Sequence, residues 1–392
     1  MPLQHSSLEF RLMLSLLREN LGGSALEGFG GGDFDPKLDW AEFERLLLEH
    51  RVLFPVWKEL NRTGKVESLR QGCRHRLSEL NKLLTLRQMK LTARLLEVVK
   101  RFDSEGIPYV TLKGPAFSQW LYGDSVRRHC NDLDILVAKE DFCLANRALV
   151  AGGYSSVLEP IDARARRGAE MWGLSHHKRY SGPGVSLELH WRLSSMDDLL
   201  PVSVKSAIDS AARVEIGGYP VSVLNRKLLV SYLTLHGSAH CWNRMKWAFD
   251  LASIRVSDAK SHELCGDCGG SLERAEAWRE ELLCSLFGFE TGRLSNGALA
   301  RYATRLSLRQ LMDVDLGPGS KRNVLRRSVA LFLMRPKIRS KLRYVKELLS
   351  WEPCYEWISL PEKLSFLYVL IGPVYWLYMR LLKLGDLKQP GG

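Results

Sequence analysis

The sequence has little cysteine and no repeated segment, and each absence excludes a class of protein. Eight cysteines in 392 residues are too few for a small disulfide-stapled scaffold. No motif recurs at a fixed period, which excludes a solenoid or a propeller. Most of the cysteines are scattered along the chain, which is typical of a reducing compartment, and we predict a cytoplasmic protein.

The first twenty residues lack the pattern of a secretory signal. Such a signal has a basic start followed by an apolar run, but Arg11, Arg18 and Glu19 interrupt the apolar residues here. We therefore expect no secretory leader in this segment.

One apolar stretch, residues 364–382, approaches the length of a membrane span but lacks the uniformity of one. Gly372 and Pro373 stand in its middle, and Arg380 lies inside it. Two packed helices joined at Gly372 and Pro373 are the favoured interpretation. A peripheral membrane contact through residues 364–382 is the main alternative, and a true span is the least favoured.

A zinc site of the usual four-ligand kind is also not complete in the sequence. Cys265 and Cys268 form a C-x-x-C pair with His262 nearby, but a second C-x-x-C does not follow. A surface loop is therefore favoured over a metal or redox role for these cysteines.

Positive charge, by contrast, is abundant. The net charge is +12, and a basic protein attracts polyanions such as nucleotides, nucleic acid or an acidic membrane surface. Solvated helix faces are the simplest explanation, and nucleic acid is the less favoured partner. Ten basic residues crowd into one stretch: Lys321, Arg322, Arg326, Arg327, Arg335, Lys337, Arg339, Lys341, Arg343 and Lys346.

Hydrophobic spacing divides the chain into three regions. Residues 1–104 have apolar residues at helical spacing, with Asp39 as an N-cap and a long amphipathic helix over 75–104. Residues 105–225 alternate between short strands and helices, and residues 226–392 are helical again. We predict an α+β protein in which a small mixed sheet with helices on one side is flanked by helical N- and C-terminal regions.

The middle region is predicted to be a strand, a helix, a second strand, a helix, a third strand and a hairpin. The predicted bounds are, in that order, 109–113, 116–122, 132–137, 140–152, 154–158, and 176–180 with 185–193.

The strand over residues 132–137 carries a D-x-D motif. Because side chains alternate faces along a strand, Asp132 and Asp134 point the same way while the intervening apolar residues point into a core. Two adjacent carboxylates repel each other, and a divalent cation relieves that repulsion. A D-x-D motif alone is weak evidence for catalysis.

The later segment SLELHWRL alternates just as strictly. Glu188, His190 and Arg192 share a polar face, which by itself is as typical of a solvent-exposed strand. If this strand lies beside the D-x-D strand, Glu188 completes a cluster of three carboxylates. Such a cluster can hold two Mg²⁺ ions about 3.5–4 Å apart for an in-line phosphoryl displacement.

The turn LKGP lies between a strand and a helix. Pro115 suits the first helical position, Gly114 permits close approach of a ligand, and Lys113 adds a cation next to the helix N-terminus. An ordinary strand–helix turn is the simpler interpretation of this segment alone. Arg128 is a candidate phosphate clamp, and its neighbour Arg127 is equally a candidate for the surface residue of the pair.

The order of these motifs resembles a known family. LKGPAFSQWLYGD, RHCNDLDILV, SLELHW and LHGSAHCWNRMKWAFDLA are similar to the uncharacterised bacterial nucleotidyltransferases often called NTP_transf_5, within the polymerase β-like superfamily. The resemblance covers most of the chain. It implies an enzyme that uses Mg²⁺, or Mn²⁺, to move an NMP group from an NTP to an acceptor hydroxyl.

The resemblance also implies roles for particular residues, with Glu188 as a general base as well as a ligand. Three carboxylates would be catalytic and bind metal: Asp132, Asp134 and Glu188. Four residues would bind nucleotide: Lys113, Gly114, Arg128 and His190. Lys113 and Gly114 replace the Gly-Ser pair of the wider superfamily.

A helical block follows, in which His236 and His240 are four positions apart and therefore share one helix face. Buried, hydrogen-bonded histidines facing the sheet are the favoured interpretation, ahead of contact with the nucleotide or acceptor and of metal binding. Trp242, Trp247 and Phe249 are expected in the core.

Two other functions compete with this enzyme. One is a catalytically weak nucleotide-binding or membrane-peripheral accessory protein of the same fold, and the other is an RNA-modifying nucleotidyltransferase. Intact carboxylates at all three positions count against the first. The sequence predicts neither the acceptor, the preferred NTP nor the oligomeric state.

Overall fold

A computed structural model describes most of the chain, with several gaps. The described residues are 5–31, 34–156, 176–194, 196–257, 272–290, 297–312, 321–349, 364, 367 and 370–375. Cys265 and Cys268, most of the apolar stretch 364–382 and the end of the predicted strand 154–158 lie outside them.

Helices make up the N-terminal region, as predicted. They are α1 (Leu8–Asn20), α2 (Trp40–Glu49), α3 (Leu53–Arg62) and α4 (Gln71–Ser104), with a short 3-10 turn at Lys65–Ser68. Asp39 caps α2, because its carboxylate accepts hydrogen bonds from the backbone N–H groups of Ala41 and Glu42.

The long helix α4 leaves several apolar residues of its first half exposed. Leu77 is buried, but Leu83, Leu86 and Met89 are more than half exposed. The contacts to the sheet come instead from the second half of the helix, where the side chains from Leu91 to Phe102 supply the buried face.

The middle region forms a seven-stranded mixed sheet with the order β3-β4-β5-β2-β1-β7-β6. The strands are β1 (Tyr109–Thr111), β2 (Asp132–Val137), β3 (Ser155–Ser156), β4 (His177–Gly182), β5 (Val185–His190), β6 (Ala212–Ile216) and β7 (Tyr219–Val223). Its helices are α5 (Gly114–Tyr122), α6 (Phe142–Ala151) and α7 (Val204–Asp209). The hairpin of β6 and β7, which turns at Gly217 and Gly218, is an addition to the predicted elements.

The two faces of the sheet belong to different hydrophobic clusters. On one face, Leu133, Ile135 and Val137 of β2 pack with buried residues of α4 and α6. On the other face, Val110 and Leu136 join a core built mainly from the flanking helices. Helices therefore lie against both faces, and the prediction of helices on one side of the sheet was wrong. Asp132 and Asp134 share the face of Leu136.

The C-terminal region is helical where it is described. Its helices are α8 (Arg226–Ala239), α9 (Met245–Ser257), α10 (Glu273–Phe287), α11 (Ala298–Met312), α12 (Lys321–Met334) and α13 (Ile338–Leu349). The α+β class with helical flanks is thus confirmed, while the division at residues 104 and 225 stays a prediction.

His50 ties the two helical regions together. Its Nε2 lies 3.0 Å from the carbonyl oxygen of Leu311, and its Nδ1 accepts a hydrogen bond from the backbone N–H of Met245. Both ring nitrogens are therefore used, and the end of α2 is fixed to α9 and α11.

Among the described helices, we find none with enough length and apolar character to cross a membrane. Cys73, Cys130, Cys143, Cys241 and Cys284 are free thiols, and the cytoplasmic location remains a prediction.

Candidate active site

The D-x-D strand and the ELHW strand lie side by side. β2 and β5 pair in parallel, with Asp132 opposite Ser186 and Asp134 opposite Glu188. Alternation then places the acidic residues of both strands on one face, since the apolar residues between them fill the core on the other. The strand pairing on which the three-carboxylate hypothesis depends is therefore present.

Asp134 is at the centre of the site and is buried. Its Oδ1 atom lies 3.3 Å from Lys113 Nζ and 3.3 Å from His190 Nε2. Glu188 is the neighbour on β5, and its Oε2 atom lies 3.6 Å from the same His190 nitrogen. One imidazole thus bridges the two carboxylates.

The spacing of these groups suits a divalent cation. Ligand atoms of Asp134, Glu188 and His190 all lie within 4.8 Å of one another. Among the described residues, a second set with this spacing is His176, His177 and His190, and Asp132 belongs to neither set. Asp132 is half-buried and lies two residues before Asp134, on the same face of the strand.

Burial and neighbouring charges separate the pKa values of the carboxylates. Burial raises the pKa of Asp132, and the negative charges of Asp134 and Glu188 raise it further. Burial would raise the pKa of Asp134 as well, but Lys113 and the hydrogen bond to His190 bring it well below its usual range. The cluster therefore holds one carboxylate whose charge is poorly compensated, and an added cation would relieve it.

Two basic groups adjust to the acidic cluster. Burial alone would lower the pKa of Lys113, but the charge of Asp134 raises it above its usual value. The pKa of His190 is likewise raised by its hydrogen bonds to Asp134 and Glu188, against the effect of burial. His190 Nδ1 is buried and has no hydrogen-bond partner among the described residues.

Strand β4 adds side chains that sequence reasoning missed. It pairs with β5 so that Arg179 is opposite Glu188 and His177 is opposite His190. Arg179 Nη2 and His177 Nε2 lie 3.3 and 3.6 Å from Glu188 Oε1. The hairpin closed by Pro183 and Gly184 fixes this register, so counting back from the turn would have found both residues.

The neighbouring His176 completes a small group of imidazoles. Its Nε2 lies 3.1 Å from His177 Nδ1. Burial, together with the adjacent imidazoles, lowers the pKa of His177 to about 4 and that of His176 well below its usual value. At neutral pH these two rings are therefore uncharged and can offer a lone pair.

The turn from β1 into α5 brings Lys113 and Gly114 to the site. Gly114 has a φ of +75°, which a residue with a side chain rarely adopts. It is the first residue of α5, and Pro115 is the second. The Lys113 side chain makes no capping bond to this helix and turns to Asp134 instead. The helix N-terminus therefore lies beside the carboxylates.

Arg128 is not brought to the cluster. Its guanidinium is buried and makes a forked contact with Asp250 of α9, with N–O distances of 2.8–3.0 Å. It also lies over the ring of Phe117, with 5.0 Å between the guanidinium carbon and the ring centroid. This arrangement fixes the segment before β2 to α9, so a role as a phosphate clamp is not what the contacts favour.

His236 of α8 and His240, which caps the helix, are packed against each other and against Trp247. The ring centroids of His236 and His240 are 4.8 Å apart, and His240 stacks on Trp247 at 4.9 Å. Burial lowers the pKa of His240 to about 3 and that of His236 well below its usual value. Trp242, Trp247 and Phe249 are core residues, as expected.

A family described as "uncharacterised nucleotidyltransferase" matches residues 36–283, which is more than half of the chain. The chain belongs to this nucleotidyltransferase family. The match includes all seven strands and every residue of the cluster, and it identifies the protein as a nucleotidyltransferase enzyme. A search of curated proteins found no match.

Proposed function

We propose that this nucleotidyltransferase moves an NMP group from an NTP to an acceptor hydroxyl in a reaction that depends on Mg²⁺, with Mn²⁺ as a substitute. The observation that carries the proposal is the placement of Asp134 directly opposite Glu188 on parallel strands, with Asp132 on the same face. Carboxylate oxygens are the ligands that both Mg²⁺ and Mn²⁺ prefer.

The residues suited to hold the cation are Asp134 and Glu188, with Asp132 as a further ligand. The short spacing of ligand atoms and the poorly compensated charge of Asp132 both fit a divalent ion. When bound, the ion supplies a Lewis acid that stabilises negative charge on the phosphate oxygens.

Lys113 and the N-terminus of α5 are placed to bind the triphosphate. Lys113 contacts Asp134 in the structure. Its ammonium group would pair with a phosphate oxygen of the bound NTP. The backbone N–H groups that begin α5 and the positive end of its dipole favour the same anion.

In the proposed reaction, the acceptor oxygen attacks the α-phosphorus of the NTP. A new oxygen–phosphorus bond forms while the bond to pyrophosphate breaks, and pyrophosphate leaves with the electron pair. The hydroxyl proton passes to the carboxylate of Glu188 and then to water. Burial opposes ionisation of Glu188, but its contacts with His190 and His177 keep its pKa below the usual value, so it is ionised and able to accept a proton at neutral pH.

The test is a transfer screen with purified protein, Mg²⁺, each NTP labelled at the α-phosphate, and a cell lysate as the source of acceptors. We expect labelled product with the wild type and with Glu215→Gln, which removes an exposed carboxylate on β6, and none with Asp134→Asn.

Other outcomes would favour the competing functions. Metal-dependent nucleotide binding without transfer would indicate a catalytically weak accessory protein, and label found only in RNA would indicate an RNA-modifying enzyme. Absence of metal-dependent nucleotide binding would show that the proposal is wrong.

A further inference from the structure

The described contacts of helix α13 with the body of the protein lie along one face. Ser340 and Tyr344, four residues apart, are both buried, and the Ser340 hydroxyl donates a hydrogen bond to Asp198. Arg335, just before the helix, lies over the Tyr344 ring, with 4.1 Å between its guanidinium carbon and the ring centroid. These contacts determine which side of α13 faces outward.

The outward side is apolar. Ile338, Leu342 and Val345 follow at the i, i+4 and i+7 positions of a helix face, with exposed fractions of 69%, 62% and 37%. Leu325 and Val329 of the preceding helix α12 are exposed by 67% and 40%. We call the outer stripe the set of exposed apolar residues Leu325, Val329, Ile338, Leu342, Val345 and Leu348.

The outer stripe lies in the most basic part of the sequence. Residues 321–349 contain ten lysines and arginines and one glutamate, a net charge of +9 out of +12 for the whole chain. At about 100° per residue, Arg339 falls on one flank of the stripe on α13. Lys341 falls between Val345 and Leu348, and its ammonium lies over the Phe332 ring. Arg339 and Lys337 are exposed.

We propose that the outer stripe of α12 and α13 is a membrane-binding surface that lies flat on an anionic bilayer. An apolar helix face with exposed basic residues beside it is the arrangement that inserts shallowly among lipid head groups, while lysine and arginine attract acidic lipids. The described residues nearer the C-terminus continue the same character, since Leu364, Leu370 and Val374 are exposed by 41%, 66% and 64%.

The charge and the apolar stripe together favour lipid over the two other occupants of such a face. A second copy of the chain would bring two strongly positive surfaces into contact, which costs free energy. A nucleic acid would use the basic residues but gain little from six exposed aliphatic side chains, because phosphate contacts supply most of its affinity.

The experiment is co-sedimentation of the full chain with vesicles of phosphatidylcholine, alone or mixed with phosphatidylglycerol. We expect binding to the mixed vesicles that weakens as salt is added. Leu342→Glu should weaken it about ten-fold or more, because it removes an inserted side chain and adds a repelled charge. Leu83→Glu, at an equally exposed leucine of α4, is the matched control and should bind as the wild type does.

A second pair of variants tests the charge. Lys337→Gln and Arg339→Gln should each weaken binding by about five-fold, whereas Lys58→Gln on α3 should not change it. Because every substituted residue is exposed, thermal unfolding should be unaltered in all of them, which separates lost binding from lost folding.

Three results would overturn the proposal. The first is no binding of the wild type to mixed vesicles, and the second is equal binding by Leu342→Glu and Leu83→Glu. The third is a wild-type dimer that Leu342→Glu converts into a monomer, since a second copy would then cover the stripe. Tight RNA binding that survives Leu342→Glu, without vesicle binding, would assign the basic residues to nucleic acid instead.

Discussion

Lys113 and Asp134 form one buried pair of opposite charges, and Arg128 and Asp250 form another. In the second pair, a planar guanidinium makes three contacts of 2.8–3.0 Å with a single carboxylate and lies over an aromatic ring. In the first, one ammonium makes a single 3.3 Å contact with Asp134, which is near two further carboxylates. We call Arg128 and Asp250 the closed pair, because each charge is matched by the other. We call Lys113 with Asp132, Asp134 and Glu188 the open cluster, because it has an excess of negative charge that a ligand can use.

The difference suggests how to separate structural from functional charges in this family's motifs. A buried pair with complete geometry stabilises the fold, because removing one partner leaves the other uncompensated. A cluster with more carboxylates than nearby cations lowers the stability of the fold, because the carboxylates repel one another. Binding and catalytic sites are often of this kind. The predictions below test this distinction, from the largest expected effect to the smallest.

The largest effect is expected on activity when a carboxylate of the open cluster is removed. Asp134→Asn and Glu188→Gln should each lower the rate of pyrophosphate release about a thousand-fold or more, because both take away a ligand of the proposed cation. Asp134→Asn should lower the free energy of unfolding by less than Asp250→Ala does, since two carboxylates remain near Lys113. Chemical denaturation measures that second quantity, and severe destabilisation would contradict the distinction.

The closed pair should respond in the opposite way. Asp250→Ala should lower the free energy of unfolding by about 3–5 kcal/mol, because it leaves the guanidinium of Arg128 buried and unpaired. Urea denaturation of this variant beside Asp134→Asn makes the comparison directly. Equal losses of stability in the two variants would mean that the pairs do not differ as we describe.

His50 is a third buried polar group whose contacts are complete. Its contribution to stability can be tested by changing the pH. Burial, with a smaller effect from Arg244 and Arg45, lowers the pKa of His50 to about 4 despite its hydrogen bond to Leu311. Because the folded pKa is below the unfolded value of about 6.5, the stability from His50 is present above pH 6.5 and is lost as the pH falls towards 4. The loss should reach about 3 kcal/mol in acid.

The contribution of His50 is isolated by comparison with His50→Asn, whose side chain does not titrate. The difference in unfolding free energy between the wild type and this variant should shrink as the pH is lowered. A difference that is constant with pH would show that His50 does not keep a depressed pKa in the fold.

The smallest effect concerns the backbone at the open cluster. Gly114→Ala should cost about 1–2 kcal/mol of stability, because alanine is strained at a φ of +75°. Gly106→Ala, at a φ of +66° with no atom near the added methyl group, should cost about as much. Only Gly114→Ala should raise the KM for NTP, and a similar rise in Gly106→Ala would remove the turn from the proposed phosphate site.

Much of the sheet could be predicted from the sequence, because the alternation of polar and apolar residues along a strand is visible in a few neighbouring residues. Strand β2 begins and ends where the alternation around Asp132 and Asp134 predicts. The same alternation in β5 predicted that Glu188 and His190 share a face. The hairpin of β6 and β7 was missed because Arg213 and Glu215 are polar and the two strands are short, although Gly217 and Gly218 are typical of a turn.

The contacts of the site depend on partners that are distant in the sequence, and here prediction was weaker. Arg128 was assigned to phosphate because its partner Asp250 is 122 residues away and local spacing does not pair them. Arg179 and His177 could have been found from the hairpin register. His50 and its contacts with α9 and α11 depend on how helices pack, which no short motif specifies.

The central claim is that Asp134 and Glu188 together bind a catalytic cation. The most direct test is a titration with Mn²⁺ in which binding is measured by electron paramagnetic resonance. The wild type and Glu215→Gln should bind Mn²⁺ in the presence of NTP, and Glu188→Gln should bind it far more weakly. Unchanged Mn²⁺ binding by Glu188→Gln would contradict the claim.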